Sequence, residues 1–263
     1  IHGVTGSLGW ALAPAVVVPL AIAFHWRVAL AAAGGVALLV LAVLWFKRET
    51  LALAPLPRPD ADKPAEGSFA FLRIPAVWMC FAFFFFYAVV LSTVQAFAPE
   101  AARHLHQVPV ALAAMCLTVY MVCSAGGMVF GGFLAADPDR CERIVGIGFG
   151  LAALIALAIG FAPVPGLAVP AMFGAMGFVT GLAGPSRDLL VKRSTPENAT
   201  GRVYGVVYSG LDIGQALAPL VFGTLMDRGN YQGVWLGLVI MQGVLITSAF
   251  NVRRVRRTAA VPA

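Results

Sequence analysis

Eight stretches of this chain, at about 5–24, 28–46, 75–97, 109–134, 144–162, 167–186, 203–226 and 232–250, are each roughly twenty residues long. Between them they hold one charged side chain, Asp212. About twenty apolar residues are what an α-helix needs to cross the hydrocarbon core of a bilayer. Soluble proteins bury helices of about ten to fourteen apolar residues, but not eight long ones in succession. A transmembrane barrel needs strands of about ten residues alternating in polarity, and FAFFFFYAVVL, from Phe81, does not alternate. Composition agrees: 60% of the residues are hydrophobic and 11% charged, against about 45–50% and 25% in soluble domains. The chain reads as an all-α polytopic membrane protein with eight transmembrane helices.

Basic residues orient it. When alternate loops are assigned to one side, Lys47, Arg48, Arg58, Lys63 and Arg73 fall with Arg140 and Arg143. Arg187, Lys192, Arg193 and Arg202 join them, as do Arg253, Arg254, Arg256 and Arg257. The opposite side keeps only Arg27, Arg103 and Arg228. This asymmetry predicts that the linker and the C-terminus are cytoplasmic. The net charge of +6 is then an orientation signal, and nucleic acid is not expected as a partner.

The chain also repeats itself. GSLGWALAP (Gly6–Pro14) returns as LDIGQALAP (Leu211–Pro219), and five of the nine positions are identical. Each string opens a hairpin, one ending at Arg48 and the other at Arg253, with Trp26 opposite Tyr231. Helices one and two thus correspond to seven and eight, a period of six. The segment 47–74, rich in Pro and charge and without apolar periodicity, reads as a cytoplasmic linker. The expected organisation is two helices in 1–46, the linker, a complete six-helix unit in 75–251 and a basic tail in 252–263. A start at Ile1 and a first unit with only two members predict four further helices upstream.

Paired six-helix repeats joined by a cytoplasmic loop are the layout of the major facilitator superfamily, and the chain resembles that family in its motifs too. GSLGWALAP is similar to the fifth-helix Gly/Pro motif of exporters. GGFLAADPDRCER (Gly131–Arg143) resembles the G-x-L-a-D-r loop, with one extra residue before Asp137 and Pro138 where the family has Arg. Arg187–Pro219 resembles bacterial members near the fosmidomycin-resistance group. The resemblance implies the major facilitator fold lacking its first four helices, in a bacterial inner membrane. It also implies a secondary transporter, not an enzyme, exporting a small organic molecule or drug in exchange for protons. The alternatives are organic-anion uptake, with Arg187 or Arg103 as the anion's partner, and a truncated remnant that transports nothing.

Polar groups at membrane depth are expensive, so each is a candidate for function. Tyr204, Tyr208, Asp212, Gln215 and Pro219 share one helical face by their spacing. A carboxylate there is the residue type that takes up and releases a proton; the alternative is that Asp212 pairs with Arg202 or Arg187. Tyr87, Gln95 and Tyr120 are further candidates for the substrate or proton pathway, although packing suits Tyr120 as well. Asp137, Arg140, Arg143, Arg187, Asp188 and Arg202 make a candidate cytoplasmic gate. Gly6, Gly9, Pro14, Gly214 and Pro219 suit close helix packing or a kink. The run Phe83–Phe86 points all round its helix and is expected to be mainly lipid-facing and packing surface. His104 and His106 are expected in a solvated outer loop. No spacing suggests a metal or a cofactor, and the expected partners are lipid, a small-molecule substrate and protons.

Overall fold

The computed structural model describes residues 9, 12, 16, 17, 19–50, 72, 74–135, 140–194 and 200–259. Gly6, Pro14, Asp137, the side chain of Arg202, most of the first apolar run and most of the linker lie outside these residues. The chain divides into two compact units between Gly67 and Ser68.

In the first unit, helical backbone at 19–23 turns at Phe24 and His25 into α1, Trp26–Phe46. The His25 imidazole caps α1 by accepting the Arg27 N–H at 3.3 Å. Every position from Leu30 to Phe46 is exposed and only Ala29 is buried. A helix that is apolar on all sides suits lipid, where no polar face is needed. At Gly9, likewise exposed, a Cβ would meet nothing within 4 Å.

The second unit is all-helical: α2 (Pro75–Ala96), α3 (Ala98–His106), α4 (Val110–Leu134), α5 (Cys141–Phe161), α6 (Val169–Ser194), α7 (Thr200–Asp227) and α8 (Tyr231–Ala259). Seven helices among the described residues, α1, α2 and α4–α8, are long and apolar enough to cross a membrane. Turn chemistry sets the breaks. Pro99 opens α3, Gln107 takes a left-handed conformation (φ 51°) after it, and Pro109 precedes α4. Gly229 supplies the positive φ (67°) between α7 and α8, and the Asn230 side chain caps α8 by accepting from the Gly233 N–H at 2.9 Å.

Between apolar helices in lipid there is little hydrophobic drive, so van der Waals fit and backbone proximity decide which faces meet. The most extensive contact is α4 on α6; α2 packs on α7, α5 on α6, and α8 on both α2 and α5. The α4–α6 seam is built from two Gly-x-x-x-Gly strings, Gly127–Gly131 and Gly177–Gly181. A Cβ on Gly127 would strike the carbonyl of Phe178, and one on Gly131 that of Leu182. Reciprocally, a Cβ on Gly177 would strike the carbonyl of Tyr120, and one on Gly181 that of Ser124. Tyr120 is buried in this seam, its hydroxyl 3.1 Å from Thr180 Oγ1, whose own proton is directed at the Gly177 carbonyl (2.8 Å).

Several expectations change here. Of the Phe83–Phe86 run, Phe83 and Phe84 are packing surface and not lipid-facing: they are 3% and 1% exposed, inside a core with Phe149, Leu245 and Val207. The outer connection around His104 and His106 is a helix, α3, whose Ala98, Ala101 and Ala102 are buried. α6 continues through Arg187 and Asp188, and α8 continues through the arginine-rich tail to Ala259.

The seam makes a differential prediction. Gly127→Ala forces backbone apart, whereas a Cβ on the adjacent Gly126 meets nothing within 4 Å. Thermal or SDS-titrated unfolding of the purified protein should show Gly127→Ala destabilised by about 1–3 kcal/mol. Gly126→Ala should be neutral or slightly stabilising; equal behaviour of the two variants would refute the seam.

Candidate functional site

At the Arg/Lys-rich end of the second unit, α2, α5 and α7 bring aromatic rings together, and two of the rings, both on α2, meet one guanidinium. Phe84 and Tyr87, three apart on α2, share a face; Tyr204 and Tyr208, four apart on α7, share another. α7 comes close to α2 because Gly210 and Gly214 meet it without side chains. A Cβ on Gly210 would lie 2.8 Å from the Phe81 carbonyl, and one on Gly214 would meet the Phe85 carbonyl and lie 2.9 Å from Ala88 Cβ. That approach sets the Tyr208 ring 5.3 Å from Phe84, with Tyr204 stacked on Tyr208 at 5.6 Å. Tyr87 meets Phe84 edge-on at 6.4 Å and Phe149 of α5 at 6.0 Å.

Into this group α6 sends Arg187. Its guanidinium lies 4.4 Å from the Tyr87 ring centre and 5.6 Å from that of Phe84. Arg187 Nε and Nη2 both reach Asp188 Oδ1 at 3.0 Å. Ring faces attract a cation by about 0.5–2 kcal/mol, more when water is excluded, and the Arg187 side chain is only 13% exposed. The group is open on one side, since Tyr208 is 41% exposed and the Asp188 side chain 48%.

One turn beyond Tyr208 stands Asp212. Two residues from Gly210 and two from Gly214, it projects from the side of α7 that does not meet α2, and it is exposed. Glu142, Asp188 and Asp227 lie within two residues of the ends of their spans, so Asp212 is the one carboxylate deep within a span among the described residues. The ion pair of Arg187 is with Asp188 and not with Asp212. Gln215 is half-buried in the next turn; Pro219, which has no N–H to give to the Gln215 carbonyl, is exposed in the turn after that.

A model of the Major Facilitator Superfamily matches residues 1–175 and, in a second match that overlaps the first, residues 91–262. The chain belongs to the major facilitator superfamily. It is a multi-pass membrane transporter of the major facilitator type. No curated protein and no solved structure matches it.

Within this transporter the sequence-derived candidates separate into distinct places. Tyr87, Tyr204, Tyr208, Arg187 and Asp188 converge, although the first three were read as pathway and the last two as gate. Tyr120 sits in the α4–α6 seam, and Gln95 is half-buried near the far end of α2. Arg140 and Arg143 stand exposed at the start of α5, about two turns before Phe149, with Glu142 buried between them. Phe84 and Phe149 were missed as members of the site; the i, i+3 relation of Phe84 to Tyr87 was the available signal.

At the opposite end, α3 carries a compact ionic group. Glu100 receives Arg103 Nε at 2.9 Å on both carboxylate oxygens and lies 3.0 Å from His104 Nε2. The His104 ring stacks flat on Tyr231 at 4.4 Å, and His106 Nε2 lies 2.6 Å from the Ile159 carbonyl oxygen. Neither histidine is merely solvated, and Arg103 already holds a carboxylate of its own chain. The Arg103 hydrogen bond holds the Glu100 carboxyl below its ordinary 4.5. A carboxyl lowered in the folded state stabilises fully above the ordinary value and stops doing so as pH falls through the lowered one. Glu100→Gln should therefore lower the unfolding midpoint slightly at pH 7, and the difference from the parent should shrink below pH 4.5 and vanish once the pH has fallen through the lowered value. The effect is small because both partners are substantially exposed.

Proposed function

We propose that this transporter is a proton-coupled secondary carrier that exports a small organic molecule by alternating access. Asp212 exchanges the proton, and the group of Arg187, Tyr87, Tyr204 and Tyr208 lies on the substrate's path. The observation that carries the reading is the position of Asp212: a carboxylate at membrane depth, exposed, on the same helix face as two tyrosines of the ring cluster. A charge in that setting is costly unless it is used, and protonation neutralises it reversibly. The 205-residue repeat supports assigning 1–46 to the end of one six-helix half and 75–251 to the other. Under that assignment the linker and C-terminus are cytoplasmic, the membrane is a bacterial inner membrane, and Arg140, Arg143, Arg187 and Asp188 border the cytoplasmic mouth. The exporter-type motif at Gly6–Pro14 supports the outward direction. The flat contact of α7 on α2, with Pro219 in the same helix, suits a helix that moves as part of a rocking half.

The test is flux. Protein in liposomes, with the membrane potential clamped, is given an inside-acid pH gradient and radiolabelled tetraphenylphosphonium or benzoate outside. Proton exchange predicts accumulation against the gradient of one probe. Asp212→Asn should abolish gradient-driven accumulation and leave label exchange at equal concentrations intact. Undiminished gradient-driven accumulation in Asp212→Asn would remove Asp212 from the proton path. Benzoate accumulating only when the gradient is reversed, with the outside acid, would replace export by proton-coupled anion uptake.

A further inference from the structure

The long helices of the second unit sort into two pairs and a spine. α4 packs on α6 and α2 on α7, while α5 and α8 run against each other, with α5 also on α6 and α8 also on α2. The spine of α5 and α8 is close-packed along its length: a Cβ on Gly160 would strike Trp235, and one on Gly146 would strike Phe250. Away from the spine, α6 and α2 meet only slightly. The glycines of α6 all face α4, since a Cβ on Gly174, Gly177, Gly181 or Gly184 would meet Val119, Tyr120, Ser124 or Met128 respectively. Close backbone approach therefore does not hold α6 to α2. We propose that Arg187 is the clamp between the two pairs: it holds α6 to α2 at the Arg/Lys-rich end, and that end opens when the guanidinium leaves the α2 rings. The inference rests on the carrier reading only in what the opening serves, the passage of substrate.

Three features carry it. First, a long side chain spans the gap that the two backbones leave. The Arg187 guanidinium donates to the Tyr87 hydroxyl and lies 4.4 and 5.6 Å from the ring centres of Tyr87 and Phe84, both on α2. Cation–ring attraction is strongest where water is excluded, and this side chain is mostly buried. Second, the clamp can release without stranding a charge. Asp188 sits on Arg187's own helix and stays with it wherever α6 goes. Release breaks the ring contacts and one hydrogen bond, but it does not leave the guanidinium without its carboxylate, which is the costly outcome. Third, the two ends of the unit are tied differently. At the far end a whole helix, α3, lies against α2, α4, α5 and α8, with His104 stacked on Tyr231 and His106 against the Ile159 carbonyl. Main chain bridges that end, whereas a side chain bridges α6 to α2 at the Arg/Lys-rich end.

Distances between paired spin labels on the purified full chain in detergent test the clamp without substrate or gradient. Gly132 on α4 and Gly205 on α7 are exposed, stand near the Arg/Lys-rich end on different pairs, and would carry a Cβ with nothing within 4 Å. Labels attached there through a non-natural amino acid leave the native cysteines in place. A second label pair, at Gly150 on α5 and Gly243 on α8, is equally unobstructed and reads the spine. Arg187→Gln, which keeps polarity but not charge, should raise the population of longer 132–205 distances about tenfold, the scale of one desolvated cation–ring contact. The 150–243 distance should stay as in the parent. Tyr87→Phe, which keeps the ring and removes the hydroxyl, should give a smaller shift in the same direction, and it is read alone if Arg187→Gln does not fold. A 132–205 distribution unaltered in Arg187→Gln, or in Tyr87→Phe where that is read alone, overturns the clamp. An equal change at 150–243 also overturns it, because the whole unit has then loosened. Failure here leaves the carrier reading standing, and failure of flux with the expected distances counts against the carrier reading alone.

Discussion

The second unit depends on how closely two backbones approach. In water a helical bundle is pulled together by the burial of apolar side chains, but these helices are as apolar as the lipid around them. Association then requires something lipid cannot match, and contact between main chains is one such thing. Gly127 and Gly131 on α4 interleave with Gly177 and Gly181 on α6, placing each Cα against a carbonyl of the other helix, where weak Cα–H···O contacts add to dispersion. The seam also anchors a long-range side-chain hydrogen bond between the two helices, Tyr120 to Thr180.

The ring cluster inherits its geometry from the same device used a second time. Gly210 and Gly214 bring α7 against α2, and only at that separation does the Tyr208 ring reach Phe84. The glycines also set direction. With one face of α7 committed to α2, the residues offset from it, Tyr208 and Asp212, are left exposed. A larger residue at Gly210 would move the tyrosines off Phe84 without touching them. Meanwhile α6, fixed on its far side by the α4 seam and by Ala183 against Gly148 of α5, delivers Arg187 from the third direction. Glycine positions thus decide where the charged and aromatic groups go, although they carry no chemistry themselves.

Much of the fold was legible, and the reason is physical. Span length and charge exclusion are imposed by the bilayer, so they are written in every helix and need no knowledge of neighbours. Asp212 stood out for the same reason, as the sole charge within the apolar runs. What was not legible is which faces meet. An amphipathic helix in water announces its buried side by hydrophobicity, but in the Phe83–Phe86 run all faces look alike, and the sequence does not say which rings pack and which meet lipid; Phe84 is 1% exposed. α3 was read as loop because nine residues with Glu100, Arg103 and two histidines look solvated. Its short apolar face of alanines is evident only against the helices it covers. The Gly-x-x-x-Gly spacings at 127–131 and 177–181 are present in the sequence, yet spacing alone does not name the partner helix.

A guanidinium against two rings raises the question of why the chain keeps it there. Its loss next to Asp188 would leave a carboxylate without its counter-charge and rings without a partner, in a region where water is a poor substitute for either. Arg187 satisfies both at once, through Asp188 on its own helix and Tyr87 on α2. The same logic accounts for Asp188 rather than Asp212 as its partner. A bond to Asp212 would join α6 to α7, whereas a bond to the adjacent residue leaves Asp212 out of the pair. The ion pair itself stays within one helix, and what ties Arg187 to a second helix is its hydrogen bond to Tyr87 and its contact with the two rings of α2.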